Sequence, residues 1–476
     1  MNAFITRILI LLIVSTPFVG SAQNVSKKIL FIAGPPSHGW NQHEFPAGCE
    51  LLVECLNQSN LGIDAQVSLG WPEDTAFLES ANTIVIYSDG DEEHVAKGKT
   101  DTLEKLLNKG VNFAILHYAL EAGSPELNAF LAKAIGAYFE VNWSVNPVWT
   151  LENSTLAQHS VTNGVAFETL EDEWYYHLRF PTMSKGVTPL LSTVPPESSL
   201  GEDGPRTGNP TVRAALKNRI PQTLAWLKSE PNQPRGFGFT GGHYHYNWND
   251  DAQRKLVLNG IAWTAGIEIP ANGIQSKIAP IVKHQSIEHA IALGDLDDLH
   301  RYIANDPEII NRPGRGSYTP LHQAILRKKR ALVTSLLQQG ADPNIATKSK
   351  QTALHIAISR NDLESTKAVV DAGADLSLRE SSGWTPLHLA AAKNKLELAK
   401  YLLERGANPK LLSDAGGTPL HEASVSGGEA IIQLLLDHGV DPTVVSKTGK
   451  TALDHAIEFK NEGAIKLLTA QRQAAN

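Results

Sequence analysis

Thr319-Pro320-Leu321-His322, Thr352-Ala353-Leu354-His355, Thr385-Pro386-Leu387-His388 and Thr418-Pro419-Leu420-His421 follow one another at a constant step of 33 residues. Gly340, Gly373, Gly406 and Gly439 keep the same step, each followed by Ala or Val and then Asp or Asn. A fixed period carrying a helix start and a glycine stop in every unit predicts a solenoid of stacked helix pairs. Counting back from Thr319 and His322 reaches Ser286 and His289, so a degenerate capping repeat begins near 284. Counting forward, Asp454 takes the histidine slot behind Thr451 in a truncated last repeat ending at Leu468. About six repeats result, two of them caps.

These units resemble ankyrin repeats in period, motif and glycine turn together. The motif's physics is internal. Thr and His bond the turn backbone, Pro opens the first helix, and Leu packs between helices. Five of the 17 histidines (289, 322, 355, 388 and 421) are therefore expected to be structural rather than a metal array. The resemblance implies a protein partner. Tyr318 and Trp384, at the variable position before the motif Thr, are the candidate anchors, against the plainer reading of ordinary surface residues.

The rest of the 476-residue chain is ordinary globular in composition, with 42% hydrophobic and 19% charged residues. Fifty carboxylates against 42 Lys and Arg leave no basic footprint for nucleic acid or an anionic membrane. Residues 1–22 read as a cleavable signal peptide: Arg7, the apolar run Ile8–Val14, then Gly20-Ser21-Ala22 as the cleavage site. The apolar run falls short of the roughly 20 residues a spanning helix needs. A secreted or periplasmic protein with no membrane span after cleavage is expected. Cys49 and Cys55 lie on one predicted helix, pointing apart, and are expected to be buried and inert.

Pro270-Ala271-Asn272-Gly273 through Pro280 reads as a linker. The expected organisation is a leader, an α/β domain over 24–270, a linker over 271–283 and the repeats over 284–476. Within 24–270, short β-branched runs alternate with helical patterns, which predicts a mostly parallel sheet covered by helices. The expected strands are 29–33, 63–67, 83–87, 111–116, 148–151 and 236–240. The expected helices are 45–57, 99–108, 125–134 and 251–264, the last capped by Asp250. The proline-rich stretch 185–235 reads as long loops around a less regular strand pair.

Ligands of open parallel sheets bind beyond the carboxyl ends of the strands. Four predicted strand ends here are followed by His, carboxylate and aromatic residues: 34–44 with His38, Trp40, His43 and Glu44; 88–94 with Asp89; 117–121 with His117 and Tyr118; and 241–246 with His243 and His245. Convergence of several such residues on one edge favours a site over isolated structural histidines. A further segment, Glu171 to Phe180, would put Glu173, Tyr175 and His177 on one face if extended, with Trp174, Tyr176 and Leu178 opposite. An amphipathic strand with a polar outer face explains it equally well.

Together, Ser37-His38-Gly39, His43-Glu44, strand-then-His117, Asp172-Glu173-Trp174-Tyr175-Tyr176, Gly238-Phe239-Thr240-Gly241-Gly242-His243 and the helix with Leu258-Asn259-Gly260-Ile261-Ala262-Trp263 resemble the ThuA-like family. That family is named for trehalose utilisation and belongs to the class I glutamine amidotransferase-like superfamily. The resemblance implies a flavodoxin-like α/β sandwich with a parallel sheet, and chemistry on a sugar such as a 3-keto-glycoside or trehalose. The superfamily's cysteine nucleophile follows a central strand, where this chain has His117, so thiol-dependent glutamine hydrolysis is not expected.

Two chemistries fit the residues. In general acid–base catalysis, His117 and His243 would exchange protons while Glu44 or Glu173 orients one of them, with His38 and His43 also in the pocket. Alternatively, His, Glu and Asp would hold Zn²⁺, Mn²⁺ or Fe²⁺, brought from several strands because no compact ligand motif is present. Asp89, His177, Arg179 and His245 are candidate substrate contacts. Trp40, Tyr118, Tyr176 and Trp248 would stack on sugar faces, or are core aromatics. The competing overall reading is a non-catalytic sugar binder in which the solenoid carries the function.

Overall fold

The computed structural model describes residues 26–181, 185–426 and 428–475, so the expected leader, with its cleavage point near Ala22, lies outside the described residues. The chain divides between Ile278 and Ala279 into two compact units.

The first unit contains, in chain order, β1 (Lys27–Ala33), α1 (Phe45–Gln58), β2 (Ile63–Leu69), α2 (Thr75–Glu79), β3 (Thr83–Tyr87), α3 (Thr100–Asn108), β4 (Asn112–Leu116) and α4 (Pro125–Ala134). There follow β5 (Val148–Leu151), β6 (Thr155–Leu156), β7 (Leu170–Glu173), β8 (Val187–Thr193), α5 (Pro210–Lys217), β9 (Gln222–Lys228), β10 (Gly236–Phe239) and α6 (Asp251–Thr264). Eight strands form one sheet in the order β2-β1-β3-β4-β10-β9-β8-β6. The run from β2 to β10 is parallel, and β9, β8 and β6 extend it antiparallel. Strands β3 and β4 are buried almost throughout, as a sheet covered on both faces requires.

Two expectations need correction. Val148–Leu151 is a strand but not part of the main sheet: it pairs antiparallel with β7 in a separate two-stranded ribbon. Its burial alternates, with Val148 and Thr150 exposed and Trp149 and Leu151 buried, which suits a ribbon with one wet face. The stretch 185–235 holds the expected irregular strand pair, β8 and β9, but what lies between them is not all loop, because it includes the helix α5. Pro210 opens α5, Pro221 precedes β9, and Pro189 sits at a register shift between β8 and β9. These prolines punctuate elements at positions that need no N–H.

Helix α6 is buried nearly all round, and the Asp250 side chain caps it by accepting from Gln253 N at 2.7 Å. Part of the expected linker belongs to this domain. Ile274 is buried and donates its N–H to Asn259 Oδ1 at 2.8 Å, while Arg254 Nε reaches Ser276 Oγ at 2.8 Å. One apolar residue in a polar stretch is enough to dock it.

The second unit is a stack of six helix pairs among the described residues, from Ile287–Leu293 with Leu296–Asn305 to Ala452–Glu458 with Glu462–Ala475, so the last helix runs past Leu468. Thr319, Thr352, Thr385 and Thr418 Oγ1 lie 2.8–3.0 Å from Nδ1 of His322, His355, His388 and His421. Nε2 of His355 and His388 bonds a carbonyl of the following repeat, Trp384 O at 3.1 Å and Gly417 O at 3.2 Å. The motif histidine thus clamps its own turn, and His355 and His388 also tie it to the next one. His289 is the exception: it is exposed and packs its ring against His284, as befits a cap. Tyr318 and Trp384 are partly buried and packed against the repeat core rather than standing free as tips.

Candidate functional site

Strands β1, β3, β4 and β10 lie side by side and parallel, so their carboxyl ends share one edge. The loops beyond them are stitched together: His43 N donates to His243 O at 3.0 Å, and His245 N to Asn41 O at 2.8 Å. His38, His43 and His117 adopt left-handed backbone angles, with φ of 65°, 47° and 54°. Non-glycine residues pay about 1–3 kcal/mol for sparsely populated conformations, which cluster where function demands a particular side-chain direction.

The result is a compact cluster. His43 Nε2 faces His117 Nε2 at 3.2 Å. Glu173 Oε2 lies 3.2 Å from His243 Nδ1 and 3.5 Å from His117 Nε2. These four donor atoms all fall within 4.8 Å of one another. Tyr175 Oη donates to Glu173 Oε2 at 3.1 Å and lies 3.5 Å from His117 Nε2. Behind His43, Nδ1 meets Asp89 Oδ1 at 2.9 Å and Ser37 Oγ at 3.0 Å, and Ser37 donates to Asp89 at 2.9 Å. Behind His117, Nδ1 meets the Thr240 carbonyl at 2.9 Å.

Those outer contacts assign the tautomers. A carbonyl only accepts, so Nδ1 of His117 carries the proton and Nε2 holds a lone pair. The Asp89 carboxylate fixes His43 the same way. Two Nε2 lone pairs therefore point at each other across 3.2 Å. His243 Nδ1 is buried beside Glu173 yet makes no hydrogen bond.

Burial pushes His117 well below the ordinary histidine range, with His43 and His243 adding to the effect. Burial also lowers His43, against the pull of Asp89. Asp89 itself is raised by burial but held below its usual range overall by hydrogen bonds from His43 and Ser37. The His43 and His117 rings are thus neutral near pH 7, the state in which imidazole binds a cation.

Asp172, next to Glu173, is fully buried and accepts from the backbone N–H of Gly242 at 2.8 Å, His243 at 3.1 Å and Glu173 at 2.8 Å. It pins the loop that carries His243 to β7. Asn146 Nδ2 holds the other oxygen of Glu173 at 3.3 Å.

Of the residues expected from sequence, the cluster unites His43, His117, Glu173 and His243, with Asp89 behind it, Tyr118 beside His43 and the exposed His38 against His43 at 4.1 Å between rings. Trp40 is 51% exposed. The others lie elsewhere. Glu44 stands at the start of α1, outside the group of converging donor atoms. Trp248 is a core aromatic set edge-on to Tyr87. His245 is half-buried on a short 3₁₀ turn, and burial lowers it to about 4. Tyr176 turns away and bonds Ser199 at 2.8 Å, on the wall of a separate cavity of about 640 Å³. His177 stacks on Trp143, and Arg179 pairs with Glu140.

The expected one-face pattern of Glu173, Tyr175 and His177 fails at its last member because β7 ends at Glu173 and His177 has a φ of 58°. Tyr175, Asp172 and Ser37 were visible in the motifs but carried no expected role. Arg206, which grips Glu121 in a bidentate pair and reaches Asp91 at 3.1 Å, lies in the stretch whose structure the prolines obscured. Cys49 and Cys55 are buried on α1, and burial pushes both thiols up, the opposite of the lowered pKa an activated thiol carries.

A search of curated proteins finds no match. Among solved structures, the ankyrin repeat domain of Bcl-3, described as a unique member of the IkappaB protein family, is 27% identical; the match covers 40% of this chain and 87% of that one, with a TM-score of 0.37. The family model described as ankyrin repeats matches residues 321–413 and 405–476, and that described as ThuA, trehalose utilisation, matches 28–264. The chain thus joins an N-terminal ThuA-family domain, linked to trehalose utilisation, to C-terminal ankyrin repeats of the kind that bind proteins.

Proposed function

We propose that the first domain is a metal-assisted enzyme acting on a glycoside, with a 3-keto-glycoside or a disaccharide such as trehalose as substrate, and that the protein is exported. The observation that carries this reading is the pair of facing Nε2 lone pairs at 3.2 Å. With nothing between them they repel; a divalent cation turns the repulsion into two bonds. Ligand bonds of about 2.1 Å imply donor–donor edges of roughly 3.0 Å in an octahedron and 3.4 Å in a tetrahedron. The 3.2 Å separations of His43 from His117 and of Glu173 from His243 fall in that range, the 3.5 Å from Glu173 to His117 lies at its edge, and all four donors sit within 4.8 Å of one another. The unbonded, buried His243 Nδ1 fits the same reading.

His43, His117, His243 and Glu173 would hold the ion, oriented from behind by Asp89, the Thr240 carbonyl and Asn146. When bound, such a cation polarises a carbonyl oxygen or activates water. Full burial of His117 suits a ligand better than a proton carrier. The exposed His38, whose Nδ1 meets Ser37 Oγ at 2.9 Å, is placed to exchange protons with substrate. For a 3-keto-glycoside, His38 would take the proton from the carbon beside the carbonyl. The C–H electrons become a C=C bond, the glycosidic C–O bond breaks, and the departing oxygen recovers the proton. Trp40 and Tyr118 supply aromatic faces for the sugar.

Metal analysis of the purified full-length chain, with turnover of oxidised and unoxidised disaccharides by wild type, His38→Ala and His117→Ala, tests the proposal. The expected result is about one metal per chain, lost in His117→Ala, with turnover lost in both variants but metal kept in His38→Ala. A wild type with neither metal nor turnover would refute it.

A further inference from the structure

We infer that Tyr175 Oη is a fifth ligand of this centre, so that the site takes iron or manganese in preference to zinc. The inference rests on the metal reading above and deepens it. Tyr175 is fully buried. Its ring is fixed by neighbours on several sides: tilted against His117 with centroids 4.6 Å apart, and edge-on to Tyr118 at 6.0 Å and Phe139 at 5.4 Å. Little freedom remains for the hydroxyl to swing away.

The hydroxyl oxygen lies 3.1 Å from Glu173 Oε2 and 3.5 Å from His117 Nε2. They fall close to the nearest contacts among the four donors, 3.2 Å for His43–His117 and for Glu173–His243 and 3.5 Å for Glu173–His117. A phenol that served only to steady Glu173 from behind, as Asn146 does through Oε1, would have no reason to approach the same Nε2 that faces His43. Tyr175 instead touches the inner oxygen of Glu173 and the inner nitrogen of His117. Once those two lone pairs turn to a cation, the phenol oxygen is left facing it as well.

Three imidazoles, a carboxylate and a phenolate exceed the four positions zinc prefers in protein sites, and the hard oxygen pair suits iron or manganese. Ligation removes the phenolic proton. That proton is released to solvent as metal enters.

The full-length chain, stripped of metal and reloaded with ferric ion, tests the assignment by visible absorption and resonance Raman spectroscopy. A phenolate bound to ferric iron gives a visible charge-transfer band and enhanced phenolate vibrations. Wild type is expected to show both. Tyr175→Phe should bind the same amount of iron without the band, whereas Tyr118→Phe should keep it. Iron bound by wild type with no band overturns the ligand assignment and leaves the metal centre standing. A band that survives Tyr175→Phe overturns it too. Failure of wild type to bind any metal removes the centre and this inference together. Should Tyr175→Phe not fold, Tyr118→Phe decides: a band kept there supports Tyr175, and a band lost there overturns the assignment.

Discussion

Replacing Asp172 is the sharpest probe of how the first domain holds its site. The carboxylate is fully buried and accepts three close N–H bonds, from Gly242 on Oδ2 and from Glu173 and His243 on Oδ1, beside a longer one of 3.4 Å from Tyr244. In Asp172→Ala all three N–H groups lose their acceptor in a dry environment. An orphaned buried donor costs about 1–3 kcal/mol, so three give roughly 3–9 kcal/mol. Part of this returns, because burial raises the Asp172 pKa and so disfavours the charge that the substitution removes. A net loss of about 4 kcal/mol is expected. Asp172→Asn keeps one acceptor oxygen for Glu173 and His243 and strands only Gly242, for about 1–2 kcal/mol. Urea unfolding of the full-length chain reads this well by fluorescence. Eight of the nine tryptophans precede residue 279 and only Trp384 lies in the repeats. The tryptophan transition should shift for both variants, more for Ala, while the far-UV helical signal of the repeats keeps its midpoint. An Asp172→Ala shift below about 1 kcal/mol, or equal shifts for the two variants, would refute the reasoning.

Acid should loosen the repeats. Burial holds His322 and His388 down to about 4, against the ordinary 6.5, so the unfolded chain binds more protons between those values. Their contribution is therefore intact above about pH 6.5 and lost as pH falls towards 4, by at most about 3 kcal/mol each. Helical ellipticity in urea at pH 7.5 and pH 5 checks it; equal midpoints would count against the clamp. Gly260→Ala would set a Cβ 2.6 Å from the Phe237 ring, so overpacking outweighs the helix gain and lowers stability by about 1–2 kcal/mol in the same fluorescence assay. Asp89→Asn keeps an oxygen near His43 but removes the charge that orients it, and should weaken metal binding by about 10–100-fold on titration while leaving the unfolding midpoint of the metal-free protein nearly unchanged.

Much of this protein is readable residue by residue, for a physical reason. Each ankyrin unit contacts chiefly itself and its neighbours, so the Thr-Pro-Leu-His period and the glycine step carry nearly all the information its fold needs. Helices α4 and α6 and strand β3 follow equally from local pattern and caps. The position of β5 was not readable, because Val148–Leu151 has the composition of a sheet strand and only its long-range pairing with β7 sets it apart. Histidines after strand ends marked the edge where the site lies. Which of them converge depended on contacts spanning 74 residues from His43 to His117 and 58 from His117 to Tyr175. Local pattern is blind to such distances. It placed both Tyr175 and His177 with Glu173, although the strand had already ended, and gave Tyr175 no role. Periodicity and turn chemistry, being local, settled the elements and the repeat array; the donor cluster and its supporting shell arose only when parallel strands brought their loops to one edge and the β5–β7 ribbon set Glu173 and Tyr175 beside them.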